Sequence, residues 1–483
     1  MITAVDIGTS LTKAAAFDDG GRVLAEASRH SHLEYYADGR VEQDLDDVVS
    51  TVAAVVREVV ERTGTRPRAV ALTGQGDGLW LRDAGGRPVR SPISWMDGRA
   101  APIVRRWQRD GVSRRVYERT GNGLFPGSHG ALLAHLAEHE PESLRAADVA
   151  GYCVDSVLHV LTGEISVDAS DASVPFLDAD TRCYDDAALE ACGVAEHKHL
   201  LPKPAKPREV FELDSNGAEL LGLPAGTPVT AGPFDLPACA VGGGLNEFGD
   251  GLLTVGTTLA CQVLTEVGNR RWQDEPSGMW LCTPEENQLL HGMPAMVGTA
   301  SLDWVLELLG LGIDDLGAQL EASPPGANDV SALPFLAPGG ERSPFVDPGA
   351  SGQLSGVRIG TTRADVVRAV CESVAYAARH CFEAAGLDGK LVACGGGTRS
   401  HPWAQVFADV LGQPLHLPDD PGMGARGAAV TAARALGDPV DSGEWTLPTR
   451  EVTPNPQVRQ CYEDGYRRYR RTLASMRELW RSD

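Results

Sequence analysis

The chain has 483 residues, too many for one ordinary core, and its net charge of −23 disfavours nonspecific binding to nucleic acid or an anionic membrane, which needs clustered basic charge. No run of about 18 apolar residues marks a membrane span, and an N-terminus interrupted by Asp6 and Lys13 lacks the features of a signal peptide. Ten scattered cysteines form no Cys-x-x-Cys pair, which argues against a zinc site or a disulfide framework and for the reducing cytoplasm.

Residues 2–7 and 12–17 are short apolar runs. Asp18-Asp19-Gly20-Gly21 is a turn before Val23, so a hairpin or meander opens a sheet. Asp46 and Asp47 then precede Val48, Val49, Val52, Val55, Val56, Val59 and Val60 at helical spacing, with Gly64 as the stop. Residues 68–73 read as a strand running into Gly74-Gln75-Gly76-Asp77-Gly78. Such glycine-rich strand ends are where α/β proteins place their sites.

Near the middle the pattern restarts. Residues 228–231 form a strand before Gly232-Pro233-Phe234-Asp235. Gly251-Leu252-Leu253-Thr254-Val255-Gly256-Thr257-Thr258 then echoes Ala4-Val5-Asp6-Ile7-Gly8-Thr9-Ser10. This is a weak internal repeat, expected of two related domains. The boundary falls at Gly242-Gly243-Gly244, a linker or hinge, giving domains 1–244 and 245–441 and a tail, 442–483. Residues 362–383 predict a helix, 391–394 a strand ending in Gly395-Gly396-Gly397, 403–411 a helix, and 457–480 an amphipathic helix.

Several constellations carry chemistry. In Asp6-x-Gly8-Thr9-Ser10-x-x-Lys13 a glycine turn with free N–H groups and hydroxyls can cradle a phosphate. Asp6 can hold Mg²⁺ through water, and Lys13 can neutralise a phosphate oxygen; an ordinary hairpin turn fits the same residues. Gly256-Thr257-Thr258 is a matching turn. Asp235, after a strand and beside glycines, suits a general base that takes the proton of an attacking hydroxyl, though on local sequence alone a helix-capping aspartate is the better reading. Gly395-Gly396-Gly397 with Ser400 lets a base or ribose approach the backbone. Gln75, Asp77, Trp95 and Arg99 are the types that bond and stack on a polyhydroxylated ligand, with Gly76 leaving room beside them; a structural Asp97–Arg99 pair is the alternative. His129, His135, His139, His197 and His199 lack metal-ligand spacing and read as exposed helix or loop residues.

Taken in order, these pieces resemble the FGGY family of carbohydrate kinases from Ala4 to about Ala433. The segments that carry the resemblance are 6–13, 73–75, 232–235, 256–258, Trp95-x-Asp97-x-Arg99, Gly340-Glu341-Arg342-Ser343-Pro344, 395–397, and Gly352 to Val357 through Asp365 and Glu372. The resemblance implies an α/β fold of two RNase H-like, actin- and hexokinase-like ATPase domains with a catalytic cleft between them. It implies ATP and Mg²⁺ as cofactors and a small sugar or polyol held mainly by the N-terminal domain. Asp235 matches the catalytic base, Asp6 the Mg²⁺-associated aspartate, and Asp235 borders the same metal. Thr9, Ser10 and Lys13 match the phosphate loop, and Gly256 and Thr257 the second phosphate contact. Thr299 and Asp303 fall near the nucleotide, and Gly396, Gly397 and Ser400 at the nucleoside end. Gln75, Gly76, Asp77, Trp95 and Arg99 fall to the sugar. Residues 125–140 lack the lysine and tryptophan usual there. The Gly-Gln-Gly-Asp-Gly segment looks more like erythritol and L-xylulose kinases than glycerol kinases. A catalytically silent sugar sensor on the same fold is the alternative, and a homodimer is compatible with either.

Overall fold

The computed structural model describes residues 1–480 apart from 338, 420, 421, 439, 441–444, 446 and 448. It contains two large sheets. The first runs in the order Phe211–Glu212, Pro228–Ala231, Val70–Gly74, Ile2–Ile7, Leu11–Phe17, Val23–His30. The second runs Met279–Cys282, Gln288–Ala295, Leu259–Glu266, Gly251–Val255, Leu391–Cys394, Leu415–Pro418, Thr449–Val452. In each sheet the opening strand pairs antiparallel with the hairpin partner on one side and parallel with a later strand on the other. A further parallel strand follows in both, 228–231 in one and 415–418 in the other. The echo between residues 4–10 and 251–258 is thus the first strand and turn of two sheets with one shared topology.

The strand patterns explain the layering. In Ile2–Ile7, Val5 and Ile7 join the core under helix Leu45–Thr63, while Ile2 and Ala4 join the core under helix Met423–Ala435. Alternate side chains leave opposite faces of a strand, so both faces are covered. Helix Leu45–Thr63 starts one residue earlier than the Asp46-Asp47 pair suggests. The Asp44 side chain accepts from the N–H groups of Asp46 and Asp47 at 2.8 and 3.2 Å, and Gly64 ends the helix at φ 61°. The C-terminal helix, Arg459–Trp480, buries Tyr462, Tyr466, Tyr469 and Leu473 as the periodicity predicts. The boundary drawn at 441/442 lies outside the described residues.

The two halves exchange helices. Helix Asp235–Gly242 follows a strand of the first sheet, yet Phe234 and Ala240 pack with Leu252, Leu264, Leu290 and Val392 of the second. Helix Met423–Ala435 follows a strand of the second sheet, yet packs on the first. The helices cross with backbones in contact. A Cβ on Gly427 would lie 1.8 Å from the Ala238 carbonyl oxygen, and one on Gly242 would lie 2.1 Å from that of Met423. Gly242 therefore belongs to this crossing, and of the expected linker only Gly244, at φ 74°, takes a left-handed turn. No helix among the described residues is long and apolar enough to cross a membrane.

Candidate active site

The first-sheet strands 2–7, 70–74 and 228–231 run parallel, so their C-terminal ends open on one side. Asp6 pairs across the hairpin with Lys13. Burial raises the Asp6 pKa and the Lys13 charge opposes the rise. A Cβ on Gly424 would sit 2.5 Å from Asp6 Oδ2, so the exchanged helix begins against this carboxylate. Asp235 is the first residue of its helix. Phe234 occupies the cap position and makes no side-chain cap bond, and the Asp235 carboxyl accepts from the Leu236 N–H. Burial, then the charges of Asp6 and Asp77, push its pKa up to about 7.

The Asp235 loop is held by residues that local pattern did not single out. A cis peptide joins Gly232 to Pro233, and Thr73 Oγ1 donates to the Pro233 carbonyl at 2.6 Å. The Phe234 N–H donates to Ser170 Oγ at 3.0 Å, and Ser170 Oγ donates to Asp168. Asp168 packs against Gly232, where a Cβ would lie 2.4 Å away at φ 120°. Asp171, in the same short helix, is 1 % exposed and its Oδ1 has no hydrogen-bond partner among the described residues. Burial, reinforced by Asp155, Asp168, Asp235 and Asp77, pushes its pKa far above the ordinary carboxyl range.

The expected sugar residues form one connected group. Gln75 Oε1 accepts from Thr9 Oγ1 at 3.1 Å, Trp95 Nε1 donates to the same hydroxyl at 2.9 Å, and Gln75 Nε2 donates to Gln43 at 2.9 Å. Thr9, expected at a phosphate, here ties the loops of Gln75 and Trp95 together; Ser10 beside it is exposed. The space left by Gly76 is filled, because a Cβ there would meet Phe234 at 2.7 Å and Asp171 Oδ1 at 2.8 Å. Asp77 takes a left-handed conformation at φ 57° and accepts from the His129 N–H at 3.3 Å. Burial pushes its pKa up to about 7, against the charge of Arg342. Arg99 is an internal brace, with Nε on Asp97 at 2.9 Å and Nη2 on Glu42 at 2.6 Å. His129 corrects the expectation of an exposed residue. It is fully buried, stacked on Tyr152 at 4.5 Å with Nδ1 3.1 Å from the Gly78 carbonyl, and burial lowers its pKa to about 4.

The second sheet presents backbone instead. The Gly256-Thr257 turn rests on the start of helix Thr299–Leu308: the Thr299 N–H donates to Gly256 O at 2.8 Å and the Ala300 N–H to Thr257 O at 3.3 Å. Thr257 and Asp303 are exposed. On the neighbouring strand, a Cβ on Gly395 or Gly397 would strike Val255 at 2.5 or 2.3 Å, whereas one on Gly396 would meet nothing within 4 Å. Gly396 thus faces open space, and Ser400 stands before helix His401–Leu411.

The N-terminal domain of the FGGY family of carbohydrate kinases matches residues 1–242, and the C-terminal domain of that family matches residues 255–436. The chain belongs to the FGGY family of carbohydrate kinases. It is 31 % identical to an erythritol kinase of Brucella abortus, over 99 % of this chain and 97 % of that one. It is 27 % identical to the L-xylulose/3-keto-L-gulonate kinase of Escherichia coli, over 98 % and 96 %. A xylulose kinase structure from Rhodospirillum rubrum superposes with a TM-score of 0.89 at 27 % identity, covering 99 % of each chain. The protein is therefore a carbohydrate kinase, a phosphotransferase that uses ATP, and its two halves have the actin- and hexokinase-like ATPase fold.

Proposed function

We propose that this kinase phosphorylates a hydroxyl of a small neutral polyol or ketose, of the erythritol, L-xylulose or xylulose type. The observation that carries this reading is the placement of Asp235, a carboxyl with a pKa raised to about 7, beside both Asp6 and the Gln75–Asp77 loop. A general base works best with a pKa near the operating pH. Asp235 takes the proton of the attacking hydroxyl as its oxygen bonds to the γ-phosphorus of ATP. The bond from that phosphorus to the bridging oxygen breaks, and ADP leaves.

The donor set suits Mg²⁺, which prefers one or two carboxylates with water and phosphate oxygens to an all-protein cage. Among the described residues no cluster of three or more ligating side chains exists, while Asp6 and Asp235 interact and stand free of ion-pair partners within bonding distance. These two would hold the ion, which would neutralise phosphate charge. Ser10, Lys13, Gly256 and Thr257 would take the phosphates. Thr9 would join them while keeping the sugar loops in register, and Thr299, Asp303, Gly396, Gly397 and Ser400 would line the nucleoside side. Gln75, Asp77 and Trp95 would contact the sugar, with Arg99 bracing their loop. Domains 1–244 and 245–441 with a tail, 442–483, remain the proposed division. The proposed setting is the cytoplasm, where ten unpaired cysteines stay reduced, without a nucleic-acid or membrane partner. Sedimentation decides between monomer and homodimer.

The relatives named above are all kinases, which favours catalysis over a silent sensor. The test is ATP consumption with Mg²⁺ against erythritol, L-xylulose, D-xylulose, D-ribulose and glycerol, with the sugar phosphate identified by mass. One neutral substrate should dominate and a chelator should stop turnover. ATP hydrolysis without any sugar phosphate would overturn the reading.

A further inference from the structure

Arg342 comes from the C-terminal half but stands among the sugar loops of the N-terminal half. Its guanidinium carbon lies 4.7 Å from the centre of the Phe125 ring and 5.7 Å from that of Trp95. Its backbone is pinned from behind: Glu341 Oε1 accepts from the N–H groups of Met296, Arg342 and Ser343 at 2.8, 2.8 and 3.2 Å. Nε donates to the Pro294 carbonyl at 3.1 Å, and neither Nη has a protein acceptor among the described residues. Asp77 feels its charge, yet no ion pair closes between them. The contrast with Arg99 is direct, since that guanidinium contacts Asp97 Oδ2 at 2.9 Å. An arginine kept only for structure would close on its carboxylate in the same way. Arg342 is instead fixed short of Asp77, with two donor groups free and with Asp77 accepting a single bond from the protein.

We propose that Arg342 is a specificity-determining residue that, with Asp77, brackets one hydroxyl of the acceptor, so that the C-terminal half completes the sugar site. This rests on the proposed function and names the chemistry of its substrate. A hydroxyl donates its hydrogen to one neighbour and accepts from another at the same time, which satisfies ionised Asp77 and Arg342 together. A carboxylate only accepts. It would satisfy Arg342 but leave Asp77 facing a like charge, in a pocket that already holds Asp6, Asp171 and Asp235. The bracketed group is therefore a hydroxyl of a neutral polyol or ketose rather than the carboxylate of a sugar acid. A substrate lacking that hydroxyl leaves both partners unpaired, which sites of this kind reject strongly.

The experiment measures kcat/KM at pH 8 for wild type, Arg342→Gln and Arg342→Lys. The substrates are the neutral sugars above, their monodeoxy analogues and D-gluconate. Arg342→Gln should lower kcat/KM for the best neutral sugar by about 10- to 100-fold, chiefly through KM, the loss of a charged hydrogen bond. KM for ATP should stay within about twofold, since a general structural defect would move both. One deoxy analogue should be poor with wild type by a similar factor and lose little more with the variant. Arg342→Lys should fall between, because it keeps the charge without the planar fork; it also serves, with the deoxy series on wild type, if the glutamine variant does not fold. Neutral-sugar turnover that is unchanged in Arg342→Gln would overturn the inference alone. Wild-type turnover of D-gluconate and of no neutral sugar would overturn both the inference and the proposed substrate class.

Discussion

The two halves share a sheet topology and present opposite chemistry at the ends of their strands. The N-terminal half gathers Asp6, Asp77, Asp171 and Asp235, whose pKa values are all raised by burial. The C-terminal half offers glycine backbone and hydroxyls at 256–257 and 395–397, with Gly396 facing open space. On the proposed function, the difference follows from what each side would recognise. A triphosphate is the same in every turnover and is held by any correctly spaced N–H groups and hydroxyls. A particular sugar is distinguished from its relatives only by where its hydroxyls lie, and reading them takes fixed side chains that keep bonding capacity to spare.

Four experiments test this division. Asp235→Asn should lower kcat by roughly 10² to 10⁴, as loss of a general base does, while sugar and ATP still bind by calorimetry; wild-type kcat would remove Asp235 from the mechanism. Asp77→Ala should lower kcat/KM for the true sugar by at least about tenfold and reorder the sugar panel, because buried bonding groups left unpaired discriminate strongly. KM for ATP should hardly move. An unchanged rank order with a lowered melting temperature would reduce Asp77 to a turn residue.

Gly396→Ala should act on the other side, raising KM for ATP by about two- to fivefold, an obstruction worth roughly 0.5 to 1 kcal/mol, with KM for sugar unaltered. A shift in the sugar constant instead would erase the contrast between the halves. The smallest effect concerns pH. Burial holds the Asp77 pKa at about 7 in the folded chain, well above the ordinary carboxyl value, so the folded state binds the extra proton. The associated stability is complete below about pH 4 and is lost as pH rises through 7. Asp77→Asn, which cannot ionise, should therefore gain on wild type between pH 5 and pH 8, by roughly 2 to 4 °C in melting temperature. An equal difference at both pH values would mean that burial does not govern this carboxyl.

What was legible in the sequence was local. Strand, turn and glycine lie side by side in the chain, so the opening hairpin, the repeated strand and the loop at 74–78 could be read directly. So could the alternative for Arg99, whose partner Asp97 is two residues away. At Asp235 local sequence favoured a cap, and the cap position falls to Phe234. What was not legible depends on distance along the chain. Ser170 meets Phe234 across 64 residues, and Arg342 reaches Trp95 and Phe125 from the other half of the molecule. Nothing in periodicity or spacing marks such contacts. His129 was misread for the same reason, because its burial depends on Gly78 and Tyr152 rather than on its own helix. Gly76 was read as making space, and the fold fills that space with Phe234 and Asp171.

The exchange of helices 235–242 and 423–435 limits how this enzyme can be taken apart or recombined. Each sheet completes one face of its core with a segment encoded in the other half. A chain severed near residue 244 would leave two fragments, each carrying a helix whose partner sheet is on the other fragment. A chimaera that joins the first half of this kinase to the second half of a relative would import a foreign surface at the glycine crossing, where Gly427 tolerates nothing larger than hydrogen against Ala238. Recombination that respects this architecture moves residues 235–242 together with the second sheet and residues 423–435 together with the first, so its inheritable units are discontinuous in sequence.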